Sequence, residues 1–242
     1  MDKNELDEIA KGYDGLHDEW LDLLKLVREN EFRVFLQYAQ GRNSVAEIGL
    51  GNGVFTKLLS TQFEKVIAID ASFEAIEYVK KELKNHHNVQ YIEAFVEQLR
   101  SIDTVDNVVM SHLLEHLDDP ISALMHLKTI INEKSTVYIS VPNAFSLHRQ
   151  VAVKMGLLPT IDSLNNTDLK LGHKRVYTPT LLREHVLRSG FFIIKFGGSM
   201  IKPLTNKQIQ DSWDKKMIEG FIALGNDYPE LCGDIYIIAK RI

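Results

Sequence analysis

Cysteine is almost missing from this chain: its 242 residues contain one, Cys232. A single thiol forms no disulfide framework and anchors no cysteine-rich metal site. Long apolar runs are missing too. No stretch approaches the roughly 20 residues that a membrane-spanning helix needs. The first twenty residues, MDKNELDEIAKGYDGLHDEW, are charged throughout and carry no apolar signal core. Both absences point to a cytoplasmic protein without a membrane span. Positive charge is not in surplus either: 28 Lys and Arg face 33 Asp and Glu, a net charge of −5 at pH 7. Phosphate backbones want a basic face, so this balance speaks against a nucleic-acid partner and leaves only a local basic patch open. Internal repeats and low-complexity tracts are absent, and no feature fixes an oligomeric state.

What is present suits a globular domain: 45% hydrophobic and 25% charged residues, with chain enough for one large core. Residues 15–40 read as two amphipathic helices, one carrying Leu16, Trp20, Leu23, Leu24 and Val27, the next Phe32, Phe35, Leu36 and Ala39. Gly41 is a plausible stop. SVAEIGLGNG runs a short apolar strand into glycines, and VFTKLLSTQF follows as a helix. KVIAID, VQYI, VDNVVMS and STVYISV are further apolar strands. Between them lie the helices SFEAIEYVKKELKN, N-capped by Ser72, and ISALMHLKTII, opened by Pro120. This alternation predicts an α/β fold on a parallel sheet, and unbroken apolar runs suit strands covered on both faces. Later residues are less regular. TPTLLREHVLRSG and NKQIQDSWDKKMIEGFIAL read as helices, FFIIKF and DIYIIAK as strands. The segments 143–178 and 199–230 read as insertions capping one sheet edge.

The strand-to-helix loop Glu47-Ile48-Gly49-Leu50-Gly51-Asn52-Gly53 lets a ligand approach the backbone at a helix N-terminus. Asp70 ends the next strand, where a carboxylate can accept both hydroxyls of a ribose. A dinucleotide site would show G-x-G-x-x-G around a pyrophosphate. Here the spacing is G-x-G-x-G behind an acid, which resembles motif I of class I S-adenosylmethionine-dependent methyltransferases. VVMSHLLEHLDDP, VYISVPNAFSLHRQ and GHKRVYTPTLLREHVLRSGF resemble later motifs of the branch that includes ubiquinone-biosynthesis O-methyltransferases. Together the matches span residues 44 to about 196.

The resemblance implies a Rossmann-like seven-stranded sheet in the order 3-2-1-4-5-7-6, its last strand antiparallel, with helices on both faces and a helical cap. Residues 1–242 then form one methyltransferase domain: an N-terminal helical lid (1–42), a cofactor-binding core (43–142) and the two cap insertions. The implied cofactor is S-adenosylmethionine, leaving as S-adenosylhomocysteine. Glu47 suits its ammonium group or an ordered water network behind it, Gly49, Gly51 and Gly53 form the loop, and Asp70, Ala71 and Ser111 complete the cofactor contacts. Many relatives carry an acid after the third strand to hold the adenine. Phe95 stands there instead, with Glu93 and Glu97 nearby, and stacking on adenine and plain core packing are both open.

Methyl transfer is an in-line displacement, and an acceptor hydroxyl is often served by a general base. His112, His116 and His173 are the catalytic candidates, since histidine titrates in the right range. For His116 a purely structural role stands beside the catalytic one. Tyr13, His148, Arg149 and Tyr177 are candidate acceptor contacts, and Tyr13, His17 and Trp20 belong to the lid, where Trp20 most simply packs. His112-x-x-Glu115-His116 also matches a zinc-peptidase pattern. That reading needs both histidines on one helix and a third ligand, whereas a strand leads straight into the motif, so no metal is expected. Asp118, Asp119 and Asn143 are possible Mg²⁺ ligands, but an acidic loop before a helix N-terminus explains the two aspartates better. The apolar cap residues Phe145, Leu147, Val151, Met155, Leu157 and Leu158 suit an acceptor with an apolar part. Neither Asn-Pro-Pro-Tyr nor Pro-Cys follows strand four, which speaks against methylation of nucleobases. The expected acceptor is a small molecule, methylated at oxygen. An RNA or protein acceptor and a non-catalytic cofactor-binding role are the alternatives.

Overall fold

The computed structural model describes residues 3–11, 21–99 and 103–242. β1 (Ser44–Ile48), β2 (Lys65–Asp70), β3 (Val89–Glu93), β4 (Val105–Ser111), β5 (Ile131–Pro142), β6 (Phe191–Gly198) and β7 (Asp234–Arg241) form one sheet. Its order is β3-β2-β1-β4-β5-β7-β6. β1 to β5 pair in parallel, and β7 runs antiparallel to both its neighbours, as the resemblance implied. The central strands are apolar runs because both faces are covered: Val66, Ala68 and Ile69 have no exposed surface.

On one face, α5 (Pro120–His126) and α8 (Pro179–Arg188) close over Ile67, Val108, Ile139 and Ile237. On the other, Phe32 and Phe35 of α2 (Leu21–Tyr38) and Phe55 of α3 (Val54–Ser60) pack on Tyr138. The Phe35 and Tyr138 rings meet edge-on with centroids 6.0 Å apart. Burying one such side chain contributes about 1.5–3 kcal/mol, so this aromatic cluster is a principal anchor of α2.

Several boundaries differ from the sequence reading. Residues 21–38 are one helix, not parts of two, because no glycine or proline interrupts and the buried positions Leu23, Val27, Glu31 and Phe35 continue one stripe. Leu16 and Trp20 lie outside the described residues. A further helix, α1 (Lys3–Lys11), docks on α4 (Phe73–Glu82), where Asp7 accepts the Ser72 hydroxyl at 2.6 Å. Ile131 does not finish α5 but opens β5, pairing with Val105. The long C-terminal helix is split into α9 (Asn206–Ser212) and α10 (Lys215–Leu224), because the Asp214 carboxylate accepts the Met217 N–H at 2.8 Å and caps the second. Ile209 of α9 and Ile218 and Ile222 of α10 pack on Leu23 and Val27 of α2. The stretch after β5 holds α6 (Leu147–Lys154) and α7 (Asn166–Lys170). No helix among the described residues is long and apolar enough to cross a membrane.

Candidate functional site

The parallel strands finish at one sheet edge, where the chain must turn back into helices. Between β1 and α3 it turns through Gly49, Gly51 and Gly53, with φ of 81°, 50° and 73°. Asp70 pins this turn: its Oδ2 accepts the Leu50 N–H and its Oδ1 the Ser72 N–H, both at 2.8 Å. A Cβ at Gly53 would stand 2.8 Å from Val79 Cγ2. With the left-handed backbone added, Gly53→Ala should destabilise the fold by about 2 kcal/mol. Thermal unfolding reads this as a lowered Tm; an unchanged Tm would mean that Val79 yields freely. Gly51 is different. Nothing lies within 4 Å of where its Cβ would be, so its backbone is open to a ligand.

That open space is a cavity of about 400 Å³. Glu47, Gly49, Gly51, Asp70, Ala71, Phe95 and Ser111 line one part, and His112, Glu115, His116 and His173 the other. Leu6 and Ala10 of α1 and Leu24 and Arg28 of α2 close it over. Glu47 is 1% exposed and its Oε2 has no partner. Burial pushes its carboxyl up to about 8, against the pull of the Thr56 hydroxyl. Burial raises Asp70 as well, opposed by the N–H groups of Ser72, Leu50 and Ala71. An orphaned buried carboxyl oxygen calls for a donor, such as an ammonium group, from a ligand.

Beyond β4 the chain bends at His112, whose φ of 54° is the one positive value on a non-glycine among the described residues. The bend sets the ring between two acids, Nδ1 3.3 Å from Glu115 Oε1 and Nε2 3.4 Å from Asp234 Oδ2. Arg28 lies 2.6 Å from Glu31 Oε2 and 3.7 Å from Asp234 Oδ2. Burial and Arg28 both disfavour a charged His112, but Asp234 and Glu115 outweigh them and push it up to about 9. Burial would raise Asp234, yet His112, Arg28 and Lys202 hold it well below the usual carboxylate range. The two carboxylates therefore favour the protonated form of His112.

The two histidines of the H-x-x-E-H spacing do not share one target. His112 faces Asp234, while the His116 ring stands edge-on to His173, centroids 4.8 Å apart. Glu31, His112 and Asp234 bring ligand atoms within 4.8 Å of one another, but the Arg28 guanidinium already supplies positive charge there. Glu115, His116 and His173 also bring polar side-chain atoms within 4.8 Å of one another. Burial depresses His116, with Glu115 opposing, so its ring is neutral and able to accept a proton or an ion. Of the acidic loop, Asp119 caps α5 through the Ser122 N–H at 3.0 Å and Asp118 pairs with Lys174. Asn143 donates to the Glu230 and Cys232 carbonyls, both at 2.8 Å.

The expected acceptor contacts sit elsewhere. Arg149 is 4% exposed and does not line the cavity. Its guanidinium donates to the Ile161 carbonyl at 2.7 Å, to the Ser163 carbonyl, and to Asp168 Oδ2 at 3.1 Å, tying the cap together. Tyr177 is fully buried, its hydroxyl 3.1 Å from His185 Nδ1. His148 is also outside the cavity lining; burial, with Lys202 and Arg149 nearby, takes it down to about 3. Gly53 supports the loop from behind, and Tyr13 and His17 lie outside the described residues. The sequence reading missed Arg28, Glu31, Asp168 and Asp234. One signal was available: Glu31 falls on the apolar stripe of α2, and a charge at a core position marks a site.

A methyltransferase domain model matches residues 20–195 of the chain. The ubiquinone biosynthesis O-methyltransferase of Aeromonas salmonicida is 24% identical over 226 residues, 84% of this chain and 88% of that protein. The same-named protein of Haemophilus ducreyi is 26% identical over 106 residues, so the match spans 41% of this chain and 45% of that relative's length. Among solved structures, a possible histamine N-methyltransferase from Thermotoga maritima superposes with a TM-score of 0.68 at 15% identity, covering 98% of this chain and 99% of that one.

Proposed function

Since the chain belongs to the methyltransferase domain family, we propose that it carries the methyl group of S-adenosylmethionine to an oxygen of a small-molecule acceptor. The observation that carries this reading is that one cavity holds both halves of the chemistry. An orphaned acid, an open glycine turn and a strand-end aspartate lie at one side, and two histidines at the other.

The residues fit the cofactor. Glu47 Oε2 would accept from its ammonium, Arg28 would face its carboxylate, and Asp70 would take the ribose hydroxyls. Phe95, which also lines the cavity, would stack on the adenine. Bound, S-adenosylmethionine supplies a methyl group on a positively charged sulfur, a leaving group that needs no further activation. The chain's own task is to align the acceptor, exclude water and receive its proton. α1 and α2 would serve as the lid of residues 1–42, over a core of 43–142, with 143–178 and 199–230 forming the acceptor cap. His116 and His173 are the proton acceptors of this reading. The names of both relatives support oxygen as the methylated atom, and the net charge of −5 suits a small acceptor better than a nucleic acid.

Isothermal titration with S-adenosylmethionine, followed by a labelled-methyl screen over a metabolite extract, tests the reading. Micromolar binding and a labelled, base-stable small product are expected. Absence of binding at millimolar cofactor would sink it.

A further inference from the structure

Asp168 belongs to no cofactor contact and does not line the cavity, yet it is 7% exposed and held from three sides. Its Oδ2 accepts the Asn165 N–H at 2.9 Å and the Arg149 guanidinium at 3.1 Å. Its Oδ1 faces His173, 3.2 Å from Nδ1. The Asn165 side chain returns a bond from the Asp168 N–H at 2.9 Å, so the carboxylate sits on a closed capping box at the start of α7. The His173 N–H donates to the Asp168 carbonyl at 2.9 Å, and the Lys174 N–H to the Glu115 carbonyl at 2.8 Å. These bonds stitch the segment to the turn after β4 and leave the His173 ring lining the cavity.

Resting on the methyl-transfer reading, we propose that His173 is the general base and that Asp168 is its positioning residue. An ionised carboxylate only accepts, so the nitrogen facing it must carry the hydrogen. That fixes Nδ1–H and leaves the Nε2 lone pair free for the acceptor. Despite its burial, Asp168 stays ionised: His173, the Asn165 N–H and Arg149 take its carboxyl down to about 2. The 3.2 Å approach is an ion-pair contact in which the ring N–H is not yet aligned. Catalytic bonds of this kind tighten when the ligand enters.

The step balances. The acceptor hydroxyl proton passes to Nε2 as its oxygen bonds to the methyl carbon, and the carbon–sulfur bonding pair goes to sulfur. The positive charge therefore leaves sulfur and ends on the imidazolium, beside a carboxylate fixed in advance to hold it. His116, edge-on to His173 and neutral, adds no competing cation.

The test is Asp168→Asn. Arg149 and the Asn165 N–H are donors, so the new amide must turn its oxygen to them and its NH₂ to His173. It would then donate to Nδ1 and force the proton onto Nε2, without uncapping α7. With ¹⁵N-histidine-labelled full-length protein, and His173→Gln to assign the signal among nine histidines, the wild type should show Nδ1–H and bare Nε2 at pH 8. The Asn variant should show the reverse. Transfer of labelled methyl from S-adenosylmethionine into the metabolite extract should fall on the order of 10³-fold, while cofactor affinity by titration stays unchanged. A wild-type His173 already protonated at Nε2 would overturn the proposal without any variant. So would an Asn variant that transfers methyl at the wild-type rate. No cofactor binding and no transfer by the wild type would instead defeat the underlying reading.

Discussion

Replacing Asp70 with alanine is expected to weaken S-adenosylmethionine binding by on the order of 10²–10³-fold. Two losses combine. The ribose would lose a charged acceptor, worth about 1.5–3 kcal/mol per hydrogen bond to a charged group. The loop would lose its pin, because the Leu50 and Ser72 N–H groups both end on this carboxylate. Leu50 is 4% exposed and Ser72 3%, so water replaces that partner poorly. Asp70→Asn separates the two losses: its amide oxygen can keep one N–H and so part of the loop, while the charged acceptor is gone. Titration calorimetry on the three proteins checks this. Equal affinities would mean that the ribose binds elsewhere.

Glu47→Gln should move stability and binding in opposite directions. The native carboxyl is held at about 8, mainly by burial, against an ordinary value of 4.5. In the folded state it therefore holds its proton more tightly than in the unfolded chain. Stability falls as pH rises from about 4.5 to about 8, and is flat above. Glutamine never ionises and escapes this cost. The variant should gain on the order of 5 kcal/mol by pH 8.5 and almost nothing at pH 4.5. Its Tm advantage should open across that window, while cofactor affinity drops about tenfold or more as the ammonium loses a carboxyl that can give up its proton on binding. A Tm difference independent of pH would contradict the buried, protonated acid. Retained affinity would move the ammonium away from Glu47.

The core of the fold was legible because parallel strands covered on both faces announce themselves as apolar runs: Val66, Ile67, Ala68 and Ile69 are all buried. The glycine turn was legible for a similar reason, since positive-φ glycines and a strand-end acid lie within two short stretches. The other end was not. His112 and His116 sit four apart, and that spacing suggested a shared target; one left-handed residue sends His112 to Asp234 instead. Arg28, His112 and Asp234 meet from three distant parts of the chain, a convergence that no local pattern records. Arg149 carried the right chemistry for an acceptor contact, but three carbonyl and carboxylate partners inside the cap claim it. The split between α9 and α10 was readable in principle from Asp214, a good N-cap in the middle of an apparent helix.

The reversed strand has a consequence for how such a chain can diversify. Because β7 is antiparallel to β5 and β6, its first residues lie beside the last ones of both, Asp234 against Pro142 and Ile235 against Gly198. The long excursion between β6 and β7 thus leaves and re-enters the sheet at the same rim, whereas the chain leaving β5 there crosses over to begin β6 at the opposite rim, Phe191 beside Arg241. The β6–β7 excursion is anchored like a handle on one side of a bowl. Its two ends are fixed by the sheet, while the glycine turn and Asp70 stand further along that rim, after β1 and β2. In the proposed reading, changes of length in this handle would alter the acceptor side more readily than the glycine turn and Asp70, which lie on other strands.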